Sequence, residues 1–176
     1  MRQDGKMSDY VNTSRLPSAV DGIAEACAAG DAQGLFAAVD EWVGAVLRQT
    51  LCTVNRYEPS RERLTRLYSS DPASYPVGSS KDKSGTSWGR HVLHERRIFI
   101  GEGTDAIRQA FDDHKTIQAL GLKSVINVPI VAQDSCMGTL NLLMRSEAID
   151  DAMVQWAKLA ALLATPGFLF LRTAAQ

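Results

Sequence analysis

Residues 122–143, LKSVINVPIVAQDSCMGTLNLL, constrain the fold more than any other part of the chain. Two apolar runs rich in β-branched residues flank a short polar turn, Gln133-Asp134-Ser135. This is the pattern of an antiparallel hairpin. Each run carries one asparagine, Asn127 and Asn141. The segment therefore predicts two neighbouring antiparallel strands in the core of a sheet.

The rest of the chain alternates between helical and extended patterns. Helices are predicted near residues 18–29 and 31–49, with Gly30 ending the first and Asp31 capping the second. The next elements are expected in this order: strands at 51–57 and 63–68, a loop at 69–84, a helix at 86–95, a strand at 97–100 and a helix at 105–120. A last helix starts at Asp150, with Trp156, Leu159, Leu162 and Leu163 on its buried side and Pro166 ending or kinking it.

Length and charge narrow the class of protein. A chain of 176 residues suits one domain, placed at residues 17–170 between a flexible leader at 1–16 and a tail at 171–176. The net charge of −1 argues against a nucleic-acid groove or a polybasic membrane surface. No apolar signal core precedes the first helix, and the apolar run at 159–170 is shorter than a membrane span. Three scattered cysteines suit a reducing cytoplasm, where we expect the protein to reside.

The hairpin resembles the signature of the GAF domain, a small α/β sensory module. The matching residues are Lys123 to Pro129, an apolar strand ending in Val-Pro, and Gly138 to Leu143, a strand led by glycine. Segments on either side, TSWGRHVLHERRIFIG and DDAMVQWAKLAALLA, extend the resemblance to about residues 31–164. It implies an α/β (α+β) fold with a central antiparallel sheet. The N- and C-terminal helices would cover one face, and shorter helices and a loop would enclose a pocket on the other.

The register of the hairpin bears on which asparagine faces such a pocket. If Ala132 pairs with Ser135 and no bulge intervenes, Asn127 lies opposite Leu140, and the two asparagines point to opposite faces. In the cyclic-nucleotide-binding members that this hairpin resembles, the polar pocket residue matches Asn141. The expectation is that Asn141 and Thr139 face the pocket, whereas Asn127 ties a helix or loop to the other face. On this interpretation, Asn141→Leu abolishes binding and leaves folding intact.

Further ligand contacts are expected from aromatic and polar residues around the pocket. Aromatic side chains could close it and stack on a planar ligand. The helix at 105–120 adds an arginine beside an aromatic residue, which would suit an anionic or planar ligand. The predicted ligand-binding residues are Tyr68, Tyr75, Trp88, Arg108, Phe111, His114, Thr139 and Asn141. The structural alternatives are core packing for Trp88 and an ion pair of Arg108 with Asp112 on a solvated helix face.

Enzymatic chemistry finds little support in the sequence. There is no GxSxG elbow, no HExxH motif and no paired cysteines, so neither catalytic residues nor a metal site are predicted. The cysteine–histidine pair of bilin-binding GAF domains is missing, and so is the Asn-Lys-Phe-Asp-Glu series of phosphodiesterase GAF domains. A minor alternative is a free methionine-R-sulfoxide reductase, which some stand-alone GAF proteins of this size are. It would need two cysteines within disulfide reach.

The sequence thus predicts a sensory or regulatory GAF-like domain that binds a small molecule and has no catalytic output. The ligand and any cofactor are not identified by the residues. A homodimer through the terminal helices is expected, and neither nucleic acid nor a membrane is an expected partner. The alternative is a homodimeric protein-interaction module with a vestigial pocket.

Overall fold

A computed structural model describes residues 16–173, with side chains from 18 to 171. The elements, in chain order, are α1 (Leu16–Ala29), α2 (Ala32–Leu47), β1 (Leu51–Glu58), β2 (Arg63–Ser69), β3 (Ser80–Asp82), α3 (Ser87–Gly89), β4 (Phe99–Glu102), α4 (Gly103–Ala110), α5 (His114–Ala119), β5 (Ser124–Ala132), β6 (Ser135–Met144) and α6 (Asp151–Thr173). The leader predicted at 1–16 lies almost wholly outside the described residues.

The strands form one six-stranded sheet in the order β3-β2-β1-β6-β5-β4, and every neighbouring pair is antiparallel. The hairpin β5–β6 lies inside the sheet, next to β1. Helices cover both faces, so the predicted fold class is confirmed. The loop predicted at 69–84 is partly ordered, because β3 forms within it and pairs with β2 as an edge strand.

The two long helices α2 and α6, with α1 beside them, cover one face of the sheet. Gly30 has a φ of 66° and ends α1, and Asp31 then accepts a hydrogen bond from the Gln33 backbone N–H at the start of α2, as predicted. Phe36 packs edge-on against Phe168, and Trp42 packs edge-on against Trp156. These contacts join α2 to α6 and form the larger hydrophobic core.

The buried side of α6 differs from the predicted one. Small residues lie against the sheet (Ala157, Ala160, Ala161 and Ala164), and Phe168 follows them. Leu159 and Leu162, predicted to be buried, are 38% and 68% exposed. Small side chains let a helix lie close to a sheet, and this shifts the buried stripe away from the larger residues. Pro166 lies within the helix and does not end it.

Helix α6 also has the length and apolar composition of a membrane span between residues 151 and 171. That is weak evidence, because the core helix of a globular protein meets the same criteria. Here a third of the helix is buried, and it packs on α2 and on the strands β5 and β6.

The opposite face carries α3, a π-helical turn at Arg90–His94, α4 and α5. The helix predicted at 105–120 is in fact two short helices separated by residues 111–113. Phe111 has an extended backbone, and this break turns its side chain toward Trp88 and Phe99. Gly121, with a φ of 72°, follows the second short helix, where the sequence places its end.

Candidate functional site

A cavity of about 70 Å³ lies between the sheet and the short helices. Strands β1, β2, β5 and β6 provide its floor, α3 and α5 its roof, and β3 with the loop before it one side. Apolar lining residues are Leu51, Leu64, Tyr75, Trp88, Phe111, Ile117, Val125 and Leu143. Polar and charged lining residues are Thr53, Asn55, Arg66, Ser79, Lys81, Lys83, Asp113, Asn127 and Asn141.

The two asparagines of the hairpin lie side by side on the cavity floor. Asn127 pairs directly with Asn141, because β6 has a bulge at Met137 that shifts the register beyond Ile130. The turn itself has the predicted pairing of Ala132 with Ser135. The expectation that only one asparagine faces the pocket is therefore wrong. An extra residue on one strand reverses the faces of every later pair.

A hydrogen-bonded chain crosses this floor. The Trp88 indole Nε1–H donates to Asn127 Oδ1 at 2.9 Å, and Asn127 Nδ2 donates to Asn141 Oδ1 at 2.8 Å. Asn141 Nδ2 donates to Thr53 Oγ1 at 3.0 Å. Asn127 thus ties a helix to the sheet as predicted, but on the cavity side. Since buried polar groups are costly when unpaired, the chain fixes the positions of both amides and of the indole ring.

Three aromatic rings form the walls. Trp88 is 5% exposed and lies 6.4 Å from the Phe111 ring, measured between centroids. Tyr75 is buried on the other side, and the Arg66 guanidinium lies over its ring at 4.9 Å. Burial and the nearby Asp113 carboxylate raise the pKa of Tyr75, so its hydroxyl stays protonated at neutral pH. These rings offer flat surfaces to a bound molecule.

Cations dominate the outer end of the cavity. Arg66 Nη1 donates to Pro76 O at 3.2 Å and to Ser79 Oγ at 2.6 Å, which fastens the loop before β3. Lys81 Nζ forms an ion pair with Asp113 Oδ1 at 2.7 Å. Lys83 is buried, and its ammonium lies 5.0 Å from the Trp88 ring centroid.

The pKa values of the charged groups at this end are shifted by burial and by the few neighbouring charges. Burial lowers the pKa of Lys83, and the charge of Lys81 lowers it further. Burial also lowers the pKa of Arg66. Burial alone would raise the pKa of Asp113, but the Lys81 hydrogen bond and charge outweigh it, so this pKa lies below its usual value.

Four of the predicted ligand-binding residues line the cavity: Tyr75, Trp88, Phe111 and Asn141. Tyr68 was predicted at the mouth of the pocket, but it faces the long helices, where its hydroxyl donates to Asp40 Oδ2 at 2.8 Å. The cause is a second bulge, at Leu67 in β2. It places Arg66 opposite Asn55 on the cavity face and Tyr68 opposite Val54 on the other.

The other three predicted residues lie outside the cavity. Arg108 is on an exposed face and pairs with Asp105 at 2.9 Å; the predicted partner Asp112 lies beyond the end of α4. His114 is half-buried at the start of α5, and its Nδ1 lies 3.0 Å from Phe111 O. Thr139 shares the face of Asn141, as predicted, but its hydroxyl accepts a hydrogen bond from Asn55 instead of lining the cavity.

Sequence reasoning missed eight polar or charged lining residues, among them three cations and the second asparagine: Arg66, Lys81, Lys83 and Asn127. The signal for the two lysines was present, since their spacing of two places both side chains on one face of a strand. The interpretation of this segment as a loop excludes the alternation of a strand, whereas Ser80–Asp82 forms β3. Arg66 could not be found, because its face depends on the bulge at Leu67.

The three cysteines do not contribute to the site. Cys27 is half-buried, Cys52 and Cys136 are buried, and none of them lines the cavity. Burial raises the pKa of Cys52 and of Cys136, which disfavours the reactive thiolate. Within residues 16–173, no group of histidine, cysteine and acidic residues is arranged to hold a metal ion.

Comparisons with known proteins identify the architecture. The family model of the GAF domain matches residues 21–165. A methyl-accepting chemotaxis protein, residues 122 to 287, aligns with a TM-score of 0.67 and 18% identity, covering 89% of this chain and 99% of that one. The GAF domain of an Acinetobacter phosphoenolpyruvate-protein phosphotransferase aligns with a TM-score of 0.64 and 15% identity, covering 90% and 97%.

A third solved structure contains a ligand. The phycoerythrobilin-bound GAF domain of a cyanobacterial phytochrome aligns with a TM-score of 0.66 and 12% identity, covering 93% of this chain and 100% of that one. No protein of curated function matches the sequence significantly. At these identities the structural similarity concerns the fold alone.

Proposed function

The chain belongs to the GAF domain family, and from this premise we propose that it is a sensory or regulatory domain that binds a small molecule in the cavity above Asn127 and Asn141. The observation that carries the proposal is the cavity itself. It is enclosed by three aromatic rings, has two buried amides on its floor and three cations at its outer end. Apolar walls with a few fixed polar groups are typical of small-molecule sites.

The size of the cavity limits the ligand. A volume of about 70 Å³ suits a molecule much smaller than a drug-sized ligand. Sites for drug-sized ligands occupy roughly 300–1,000 Å³. A linear tetrapyrrole such as the phycoerythrobilin of the cyanobacterial relative is far too large for this cavity. We therefore place the ligand among small metabolites.

Binding would be communicated through the loop between β2 and β3. Tyr75 from this loop forms a wall of the cavity, and Arg66 holds the loop through Pro76 and Ser79. A ligand that contacts Arg66 or Tyr75 would favour one arrangement of the loop, and this preference is what allows binding to shift an equilibrium. The loop predicted from the sequence at 69–84 therefore contains the segment that would respond to the ligand.

The proposal includes no catalytic step and places the domain in the cytoplasm. The reductase alternative requires a reactive thiolate beside the ligand, whereas the three thiols lie outside the cavity and two of them are buried. The isolated free thiols suit a reducing compartment.

The test of small-molecule binding is native mass spectrometry of freshly purified protein, followed by a thermal-shift screen of small metabolites. A retained molecule, or a compound that raises Tm, is expected. The rise in Tm caused by the compound should be lost in Phe111→Ala, which removes one wall of the cavity. The rise should be kept in Arg108→Ala, which changes an exposed residue outside the cavity. An empty protein whose Tm responds to no compound would contradict the proposal.

A homodimeric role is the second candidate, and the exposed face of α6 favours it. Leu159, Leu162 and Leu169 are 38%, 68% and 43% exposed. Leu162 and Leu169 are seven residues apart, as in the apolar seam of paired helices. Sedimentation equilibrium should show a dimer that Leu162→Glu dissociates and that Val77→Glu, a change at an exposed valine of the β2–β3 loop, does not. A monomer at high concentration would exclude this role.

A further inference from the structure

We propose that the ligand is a small organic monoanion whose carboxylate pairs with the Lys83 ammonium inside the cavity. This inference rests on the proposed function, since it assigns the chemical class of the molecule that the cavity binds. The sequence indicates an anionic or planar ligand beside Arg108, but Arg108 lies outside the cavity and other cations line it.

The first argument is the charge of the cavity lining. Three cations line it, Arg66, Lys81 and Lys83, against a single carboxylate, Asp113. Asp113 is already paired with Lys81. Two positive charges therefore remain without a counter-charge in contact. The protein as a whole has a net charge of −1, so this excess is local to the cavity.

The second argument is the environment of Lys83. It is 8% exposed, yet among the described residues no hydrogen bond and no ion pair within 4.0 Å reaches its ammonium. Its contact is the face of Trp88, and the carboxylates of Asp112 and Asp113 act on it from a longer distance. The ammonium nitrogen keeps some contact with solvent, and its partial removal from water costs free energy unless the charge is paired. An anion in the cavity would supply the missing partner.

The third argument distinguishes a single negative charge from a double one. Arg66 Nη1 already donates to Pro76 O and Ser79 Oγ. Part of the hydrogen-bonding capacity of this guanidinium is therefore used, while its positive charge still attracts an anion in the cavity. Within the described part of the chain, Lys83 is then the one lining cation with no hydrogen-bonded acceptor on any donor. Arg66 has acceptors at Nη1, although its buried Nε lacks one among the described residues. The direct contact at Lys83 is therefore with one carboxylate, whereas a phosphate group, which carries about −1.5 to −2 at neutral pH, would also need the donors of Arg66.

The remaining walls indicate the rest of the molecule. Leu51, Val125, Leu143 and Ile117 are apolar, and Trp88 and Phe111 are flat. With a volume of about 70 Å³, the cavity fits a carboxylate on a short apolar chain.

The experiment compares charged probes with their neutral isosteres. Propanoate and butanoate, and separately propanamide and butanamide, are titrated into dialysed protein, with inorganic phosphate as a third probe. Binding is followed by NMR at the indole N–H of Trp88, which is assigned by its disappearance in Trp88→Phe. This signal reports on the cavity floor, because the indole donates to Asn127 there. The two carboxylates are expected to saturate the shift, and the two amides and phosphate are not.

Two matched substitutions locate the charge. Lys83→Met keeps the length of the side chain and should weaken carboxylate binding by about tenfold or more, the range of a charge-assisted hydrogen bond. Lys123→Met changes an exposed lysine outside the cavity and should leave affinity within about twofold. If Lys83→Met fails to fold, Lys83→Arg provides the second test: it keeps the charge and should retain saturable binding of the carboxylates.

The outcomes separate this inference from the proposed function. Equal binding of amides and carboxylates, or unchanged affinity in Lys83→Met, overturns the anion assignment and leaves small-molecule binding intact. Binding of phosphate instead of carboxylates overturns the monoanion assignment. A molecule retained on the purified protein supports the inference if it is a carboxylate and overturns it if it is neutral. If no probe shifts the Trp88 signal and no molecule is retained, both proposals fail.

Discussion

The hydrogen-bonded pair of Asn127 and Asn141 gives a prediction that can be worked out in detail. In Asn127→Leu, the Trp88 indole N–H loses its acceptor and Asn141 Oδ1 loses its donor, and both are buried. In Asn141→Leu, Asn127 Nδ2 loses its acceptor and Thr53 Oγ1 loses its donor. Asn141→Leu is therefore not the pure binding variant that the sequence suggested.

The expected cost follows from the number of orphaned groups. A buried polar group without a partner costs about 1–3 kcal/mol, and burying the leucine side chain offsets about 1–2 kcal/mol. Each single substitution orphans two groups, so the free energy of unfolding should fall by about 2–4 kcal/mol. In the double variant both amides are absent, so only the Trp88 indole N–H and the Thr53 hydroxyl oxygen lack their partners. Its loss should be smaller than the sum of the single losses by the cost of the two amide groups that the single substitutions orphan, about 2–6 kcal/mol.

Urea denaturation of the wild type, the two single variants and the double variant measures the interaction energy between Asn127 and Asn141. With a slope of about 2 kcal/mol per molar urea, each single substitution should lower the unfolding midpoint by about 1–2 M. The signal is tryptophan fluorescence, and equal slopes are required for the comparison. If the losses add to within about 0.5 kcal/mol, the bond between the two amides contributes nothing and the argument from it is refuted.

Two further predictions concern packing and pH. Gly138→Ala should lower the free energy of unfolding by about 3 kcal/mol, measured by urea denaturation. A Cβ at this position would overlap the Asn55 carbonyl oxygen and lie 2.7 Å from the Phe168 ring. In the control Gly22→Ala the Cβ would meet only a methyl group at 3.5 Å, so this change should be neutral or stabilising. Burial raises the pKa of Asp40 above 3.8 in the folded protein, against hydrogen bonds from Tyr68 and Gln49, so its contribution to stability is lost as pH rises through the raised value. The stability of Asp40→Asn relative to wild type should therefore increase as pH rises from about 4 and then level off; a constant difference in urea denaturation between pH 4 and 8 would contradict this.

The sequence predicted the fold because its strongest patterns are local. Alternation and the polar turn specified the hairpin, and Gln133 and Asp134 adopt the positive φ angles, 50° and 57°, of a tight two-residue turn. Asp31 had the signature of a helix cap and acts as one. The apolar stripe of α2 predicted its buried face, since Leu35, Val39 and Val43 have no exposed surface.

The candidate site was predicted only in part, because its residues converge from distant segments. Tyr75, Trp88, Phe111 and Asn141 were found because aromatic residues and a polar residue in an apolar strand are conspicuous in the sequence. Lys83 was not, because nothing in its neighbourhood in the sequence shows that its side chain is buried against Trp88.

By itself, the amino-acid sequence determined the long helices, the central hairpin and the fold class, through periodicity, turns and caps that act over a few residues. It did not determine the edge strand β3 or the break between α4 and α5. Only the tertiary structure decided which side chains face the cavity, and the bulges at Met137 and Leu67 did so. One inserted residue reverses the face of all that follow, because side chains alternate along a strand. A bulge is fixed by the fit of two strands that are distant in sequence, so no local pattern reveals it. The tertiary structure thus placed Asn127 beside Asn141, faced Tyr68 away from the cavity and turned Arg66 into it.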